Sequence, residues 1–389
     1  MVSGALSGEE SRHVDRVAGR LAREIAQAGG WLSFERYMDL ALYAPGLGYY
    51  SAGARKLGSG GDFTTAPELS RLFGACIAGQ CAQVLGAVGR AGSILEIGAG
   101  SGRLCVDVLE RLEQLGCLPE RYSILEISAD LKERQRCLLE EHLPHLLARV
   151  EWLDGPPLAG FRGVILANEV LDALPVTRFR WSGGRCEEMG VALQGERFVW
   201  APHAAGAALE RVCRALAAAG GGWEPGYVSE YCPRLRAWTL EVTRALEAGL
   251  VLWIDYGLPR PQYYFPQRRD GTLLCHFRQR AFEDPFLYPG LQDITAWVDF
   301  TALAEAGAAA GFEVAGFTTQ TYFLAGLGVE RELEALAGGD ANARARLANE
   351  ARQLLLPGEM GERFKAMAWT RGLEIAPAGF ALGDLRHTL

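Results

Sequence analysis

The chain has 389 residues, of which 49% are apolar and 22% charged, with a formal net charge of −8. That balance fits a soluble globular enzyme of one large domain or two. The lack of any block of consecutive Lys or Arg excludes a nucleic-acid-binding face, which needs concentrated positive charge to displace phosphate counterions.

In chain order, residues 12–42 read as a helical region. Residues 43–65 (YAPGLGYYSAGARKLGSGGDFTT) combine glycines with aromatics and read as an ordered loop. A helix follows from Pro67 to about Val88, with proline in a first-turn position where its missing N–H is tolerated. From residue 93 the rhythm changes: SILEIG (93–98), a helix from about 102, YSILEI (122–127), a helix over 129–142, VEWLD (150–154) and GVILANEV (163–170). Continuous apolar runs of this length suit parallel strands covered by helices on both faces, so the alternation predicts a doubly wound α/β sheet. Residues 177–200 switch to period-two strands broken by Gly-Gly and Gln-Gly, which predicts antiparallel hairpins. Helices at 204–219 and near 233–247 lead to another buried strand, GLVLWIDYG (249–257). Residues 258–298 form a second insertion rich in Tyr, Phe and Pro. Residues 312–320 and 321–328 read as a closing antiparallel pair, and the tail from 329 reads as helical up to MGERFKAMAW (360–369).

Nine cysteines lie scattered without CxxC spacing and six histidines form no HxxxH or HExxH pair. The reading is reduced thiols in a cytoplasmic protein with no metal site. The N-terminus has no apolar signal core and no apolar run approaches the roughly 20 residues of a membrane span, so no span is expected. Basic side chains are nearly all Arg, with lysine only at Lys56, Lys132 and Lys365, a bias that points to a bacterial source.

The strongest chemical signal is LEIGAGSGRL (95–104). Glu96, Gly98, Gly100 and Gly102, with Ala99 between them, spell E-x-G-x-G-x-G where the first strand turns into a helix. Glycines let backbone approach a ligand closely, and the helix start offers free N–H groups. A dinucleotide loop would place a third glycine at 103, where Arg103 stands, which disfavours a nicotinamide-dependent oxidoreductase. The second strand ends in Glu126-Ile127, and an acid there can accept hydrogen bonds from both ribose hydroxyls. Asp154, ending the third strand, is in register to reach an adenine amino group. The fourth strand ends in Asn168-Glu169, and Glu169 and Asp172, three residues apart, fall on one side of a helical turn; a helix-cap arrangement is the alternative reading of the pair. These strand ends together predict an S-adenosyl-L-methionine site.

The chain resembles the MidA-like methyltransferases, a family that includes the mitochondrial complex I assembly enzyme that methylates arginine. The resemblance is carried by YAPGLGYYS (43–51), GDFTTAPELSRLFG (61–74), LEIGAGSGRL, ANEVLDALPV (167–176), WIDYG (253–257), DGTLLCHFRQR (270–280), LQDITAWVDF (291–300) and MGERFKAM (360–367). It implies a seven-stranded class I methyltransferase sheet of Rossmann-like type. The divisions are a helical N-terminal segment and cofactor-covering loop (1–90), the first half of the cofactor core (91–176), substrate-side insertions (177–248), the rest of the core (249–328) and a helical C-terminal segment (329–389). It further implies that Thr65 and Pro67 lie beside the cofactor, and that the acceptor is an arginine of a partner protein, a respiratory complex subunit being the natural candidate. A guanidinium stays charged at any working pH, so an enzyme that alkylates it needs carboxylates in bidentate contact. Glu169, Asp172 and Glu230 are the candidates, with Asp255 in reserve; Tyr49, Tyr50, Tyr256, Tyr263 and Tyr264 are candidate channel walls. The family usually has His where this chain has Trp297, a difference that bears on substrate choice. The competing readings are a methyltransferase for a small molecule or another protein residue, and an assembly factor that binds the cofactor without catalysis. The oligomeric state is open, a homodimer included.

Overall fold

The computed structural model describes residues 6–52, 65–89, 91–157, 159–219 and 221–389. Residues 53–64 of the loop expected at 43–65, with the start of the GDFTTAPELSRLFG motif, lie outside that set.

The N-terminal region is two helices, α1 (Gly8–Gln27) and α2 (Phe34–Tyr43), parted by a two-residue strand β1 (Leu32–Ser33). Helix α1 opens on a capping box between Ser7 and Glu10, and the Ser33 hydroxyl caps α2. The helix expected from Pro67 is likewise divided, into α3 (Ala66–Leu69) and α4 (Arg71–Val88), because Ser70 is extended and its hydroxyl accepts from the Leu72 N–H to start α4. By length and composition alone α4 could cross a membrane. Its apolar side chains instead pack within the core, as expected of a helix that is apolar all round.

The alternating region forms β2 (Ser93–Ile97), α5 (Arg103–Gln114), β3 (Tyr122–Leu125), α6 (Ala129–His142), β4 (Val150–Leu153) and β5 (Phe161–Asn168). The insertion follows as β6 (Thr177–Ser182), β7 (Arg185–Gln194), β8 (Arg197–Ala204), α7 (Ala207–Ala219) and β9 (Val228–Tyr231). Helix α8 (Leu235–Thr243) then leads into the long central strand β10 (Leu246–Leu258). The aromatic-rich insertion contains α9 (Arg260–Tyr263), β11 (Leu274–Phe277), β12 (Arg280–Phe282), β13 (Asp293–Thr295) and β14 (Val298–Asp299). The chain closes with α10 (Phe300–Ala309), β15 (Glu313–Thr319), α11 (Gln320–Gly326), α12 (Val329–Ala337), α13 (Ala341–Leu355), α14 (Met360–Arg363) and β16 (Phe364–Arg371).

The main sheet runs β15-β16-β10-β5-β2-β3-β4, with β14 paired to the end of β10. Strands β4, β3, β2, β5 and β10 are parallel, and β16 enters antiparallel between β10 and β15. This is the doubly wound, seven-stranded Rossmann-like arrangement that the resemblance implies. Side chains alternate across it: Ile94, Val164 and Leu252 pack under α4, α5 and α6, while Leu95, Ile165 and Trp253 pack under α8 and α10. Strands β1 and β6–β9 form a separate antiparallel sheet, and β12-β11-β13 a third.

Two expectations at the C-terminus are overturned. Residues 321–328 are not a strand; Thr319 caps the N–H of Tyr322 and turns them into α11. The partner of β15 is β16, from a tail read as wholly helical. Seven of the eight residues of β16 are buried, so it shows no period-two alternation, and its strand partners are far away in sequence. The cysteines also depart from expectation. Cys186 on β7 and Cys213 on α7 are joined in a disulfide, inside an apolar cluster that unites residues too far apart for spacing to reveal. The other seven are free.

Candidate active site

Strands β2 and β5 are neighbours at the point where chain order reverses across the sheet, so the loops beyond them part to leave a crevice. The loop after β2 carries the glycine motif. Gly98, Gly100 and Gly102 all take left-handed φ values (+66°, +55° and +88°), which an L side chain adopts only under strain. A Cβ at Gly98 would also stand 3.2 Å from Val170 Cγ2, on the opposite wall. Gln135 of α6, fully buried, supports the loop: its amide donates to Gly100 O (2.9 Å) and to Glu126 (3.3 Å), and its oxygen accepts from Trp152 Nε1 (2.9 Å). Sequence reasoning missed Gln135. The available signal was a glutamine between Leu131 and Leu139 on the buried stripe of a helix.

Glu126 accepts from the Ser128 N–H (2.9 Å), and burial pushes its carboxyl up. Beside it Ile127 is 70% exposed. A hydroxyl acceptor next to an open apolar side chain suits the ribose and base of a nucleoside. Glu96 shares the face of Ile94 rather than that of the crevice, and accepts from Tyr122 OH at 2.7 Å; burial raises it to about 7. Asp154 follows β4 as expected, but its side chain is fully exposed and held by Lys132 at 2.8 Å. Ala99 is buried within the loop. Pro67 is buried in the first turn of α3, directly after Thr65.

The turn after β5 carries the acids. Glu169 holds a left-handed φ of +53°, rare for a residue with a Cβ, and its N–H donates to Ile254 O at 2.8 Å. Its carboxylate accepts from Asn168 Nδ2 (3.1 Å); burial and the neighbouring Asp172 push it up to about 8, partly offset by the nearby backbone N–H of Ala66. Asn168 Oδ1 is buried without a hydrogen-bond partner among the described residues, which leaves an acceptor for a ligand. Asp172 is buried; burial raises it to about 6, and the nearby Tyr256 hydroxyl offsets part of that rise. Asp293 of β13 joins them from the third sheet, accepting from Tyr50 OH at 2.9 Å, with Tyr43 stacked on Tyr50.

Asp255, held in reserve as a substrate ligand, has another use. Its Oδ2 accepts from the N–H groups of Val170, Leu171 and Asp172 (3.2, 2.9 and 3.2 Å), and its Oδ1 from that of Tyr256 (2.9 Å). It shapes the turn that presents the acids. Glu230 is a correction. It is fully buried on β9, ion-paired with Arg178 at 3.2 Å and bonded to the Thr272 N–H at 2.8 Å, so it stabilises the antiparallel insertion and does not join the cluster. Tyr263 and Tyr264 pack in that insertion too, whereas Tyr50 and Tyr256 touch the acids. A cleft of about 310 Å³ opens behind the same turn, walled by Leu171, Leu235, Tyr263, Ala296 and Trp297. Trp297 therefore lines that cleft, with Arg268 over its ring.

Residues 76–318 match the family model Methyltransf_28, described as S-adenosyl-L-methionine-dependent methyltransferase. The chain is 31% identical over 381 residues to protein arginine methyltransferase NDUFAF7, mitochondrial, of Danio rerio, covering 87% of this chain and 83% of that protein. It is 29% identical over 396 residues to the protein of that name from Rattus norvegicus, covering 92% and 85%. A crystal structure of a COG1565 superfamily member from Burkholderia thailandensis, bound to S-adenosyl-homocysteine, superposes with a TM-score of 0.94 at 41% identity, covering 99% of this chain and 100% of that one. The open glycine loop, Glu126 beside exposed Ile127, and the unpartnered Asn168 oxygen fit S-adenosyl-L-methionine, which is the cofactor.

Two outcomes are expected. Gly98→Val abolishes S-adenosylhomocysteine binding by calorimetry, with circular dichroism confirming a folded chain; undiminished binding removes the loop from the site. Asp255→Ala orphans the N–H groups of Val170, Leu171, Asp172 and Tyr256 and lowers stability by about 3 kcal/mol in denaturant unfolding.

Proposed function

From the premise that the chain belongs to this family of S-adenosyl-L-methionine-dependent methyltransferases, we propose that its acceptor is an arginine guanidinium of a partner protein. The observation that carries this reading is the half-buried Glu169 and the buried Asp172, set beside Asp293 with tyrosines around them, at the crevice wall opposite the glycine loop. Such a cluster asks for a cation to neutralise it. A guanidinium is planar, always charged and able to bond two carboxylates at once. The names of the curated relatives support the same acceptor, and the resemblance read from the sequence suggests a respiratory complex subunit as the partner.

When bound, the cofactor supplies an electrophilic methyl group on a sulfonium. The chain's own residues do the rest. Glu169 and Asp172 grip the guanidinium and direct one nitrogen across the crevice, which is catalysis by positioning. As the N–C bond forms and the C–S bond breaks, the nitrogen sheds a proton, and Glu169, raised to about 8, is matched to take it. Tyr256 fixes the orientation of Asp172, and Tyr43 and Tyr50 supply aromatic surface for the acceptor's stem.

The test is transfer of labelled methyl to a cell extract, followed by acid hydrolysis and amino-acid analysis. Label in methylarginine supports the reading; label in a small molecule or in another residue overturns it. Glu169→Gln is expected to keep cofactor affinity while losing roughly a hundredfold or more in kcat/KM. The pH dependence has a defined sign. Below about 8 Glu169 carries a proton and loses its charge, whereas arginine stays cationic. The KM for an arginine peptide should therefore fall by about tenfold between pH 7 and 9; a flat profile would remove Glu169 from the grip.

A further inference from the structure

The short turn α3 touches both walls of the crevice. At one end, the Ala66 N–H lies near enough to the Glu169 carboxylate to offset part of the rise that burial imposes on it. At the other, Glu68 accepts from the Ser101 hydroxyl in the glycine loop. Ser101 has a second bond: its oxygen accepts from the Arg103 N–H (3.3 Å) in the first turn of α5. The residue that caps α5 is Gly102, which has no side chain to give, so the Ser101 hydroxyl serves that helix start in its place. A hydroxyl proton turns to suit its acceptor. With Glu68 taking the proton, the oxygen's lone pairs are left facing Arg103. Pro67, buried in the turn, fixes its own φ and leaves α3 little freedom to swing.

We propose that Ala66–Leu69 is a clasp across the crevice, in which Glu68 is a positioning residue that sets the glycine loop for the cofactor through Ser101, while Glu169 anchors the opposite end. Glu169 then has two duties. A carboxylate offers about four lone-pair sites, enough to hold the Ala66 and Asn168 donors and still meet an acceptor. The inference uses only the cofactor, so it stands or falls independently of the arginine assignment.

The test is calorimetry with S-adenosylhomocysteine on the full chain, beside melting of the ligand-free protein. Glu68→Ala and Ser101→Ala should each weaken binding by about tenfold, and the double variant should be no weaker than either single one, because both remove the same bond. Glu68→Gln keeps an acceptor oxygen and should stay within about threefold of the unaltered chain. Glu169→Ala should weaken the cofactor as well, where Glu169→Gln does not. Melting temperatures should move by no more than about 2 °C. Unchanged affinity in Glu68→Ala, multiplying losses in the double variant, or losses that follow a fall in melting temperature would each overturn the clasp. Should Glu68→Ala fail to fold, the Glu68→Gln and Ser101→Ala pair decides: equal losses in both overturn it, and a loss confined to Ser101→Ala supports it.

Discussion

The site depends on one carboxylate that touches no ligand. Asp255, at the end of β10, accepts the N–H groups of Val170, Leu171 and Asp172 on a single oxygen. Those three residues follow the end of β5, the neighbour of β10 in the sheet. The turn is thereby held in a shape that leaves Glu169 at left-handed φ and Asp172 against Tyr256. Left alone, such a turn would relax. Two like charges 5 Å apart at an effective dielectric of 20 repel by about 3 kcal/mol, and Glu169, Asp172 and Asp255 all lie in one enclosure. Backbone dipoles converging on Asp255 oppose that repulsion; all three carboxyls are raised, above all by burial, with the neighbouring acids adding to the rise at Glu169 and Asp255.

Sheet order explains why the acids face the cofactor. From β2 the chain builds outward to β3 and β4, then returns to start β5 on the other side of β2. The two loops that diverge at this reversal are the glycine loop and the acidic turn, so cofactor loop and acids share a crevice without sharing a segment. The nearness is visible in the contact a Cβ on Gly98 would make with Val170.

Much of this was legible in the sequence where the determinants are local. Strands β2, β3 and β5 show as apolar runs, α6 falls on the predicted 129–142, and the glycine spacing marks the cofactor loop. Glu169 and Asp172 could be paired from their separation alone. What could not be read depends on partners distant in sequence. Strand β16 is composed of residues that suit a helix equally well and becomes a strand by lying between β10 and β15. Asp293 reaches the acids from the other side of the aromatic insertion. Glu230 was a candidate because a guanidinium asks for carboxylates, yet Arg178, which neutralises it, comes from the neighbouring strand β6. Asp255 was noticed for its charge, but the three amides that occupy it belong to a turn whose shape no spacing rule describes.

The difference between Glu230 and Glu169 is the most informative contrast in the molecule. Both are carboxylates enclosed by the protein, and burial raises both. Glu230 has an arginine beside it and two hydrogen bonds from Thr272, so its charge is answered inside the fold. Among the described residues, the groups that shift Glu169 are the Asn168 amide, the Ala66 N–H and the two acids Asp172 and Asp293. An unanswered buried charge is a standing cost unless something else supplies the counter-charge. The fold neutralises one such acid with its own arginine and keeps the other at a crevice in a left-handed backbone conformation, and the proposed arginine grip rests on that contrast. The chemistry that Arg178 performs for Glu230 within the insertion is the chemistry an acceptor arginine would perform at Glu169.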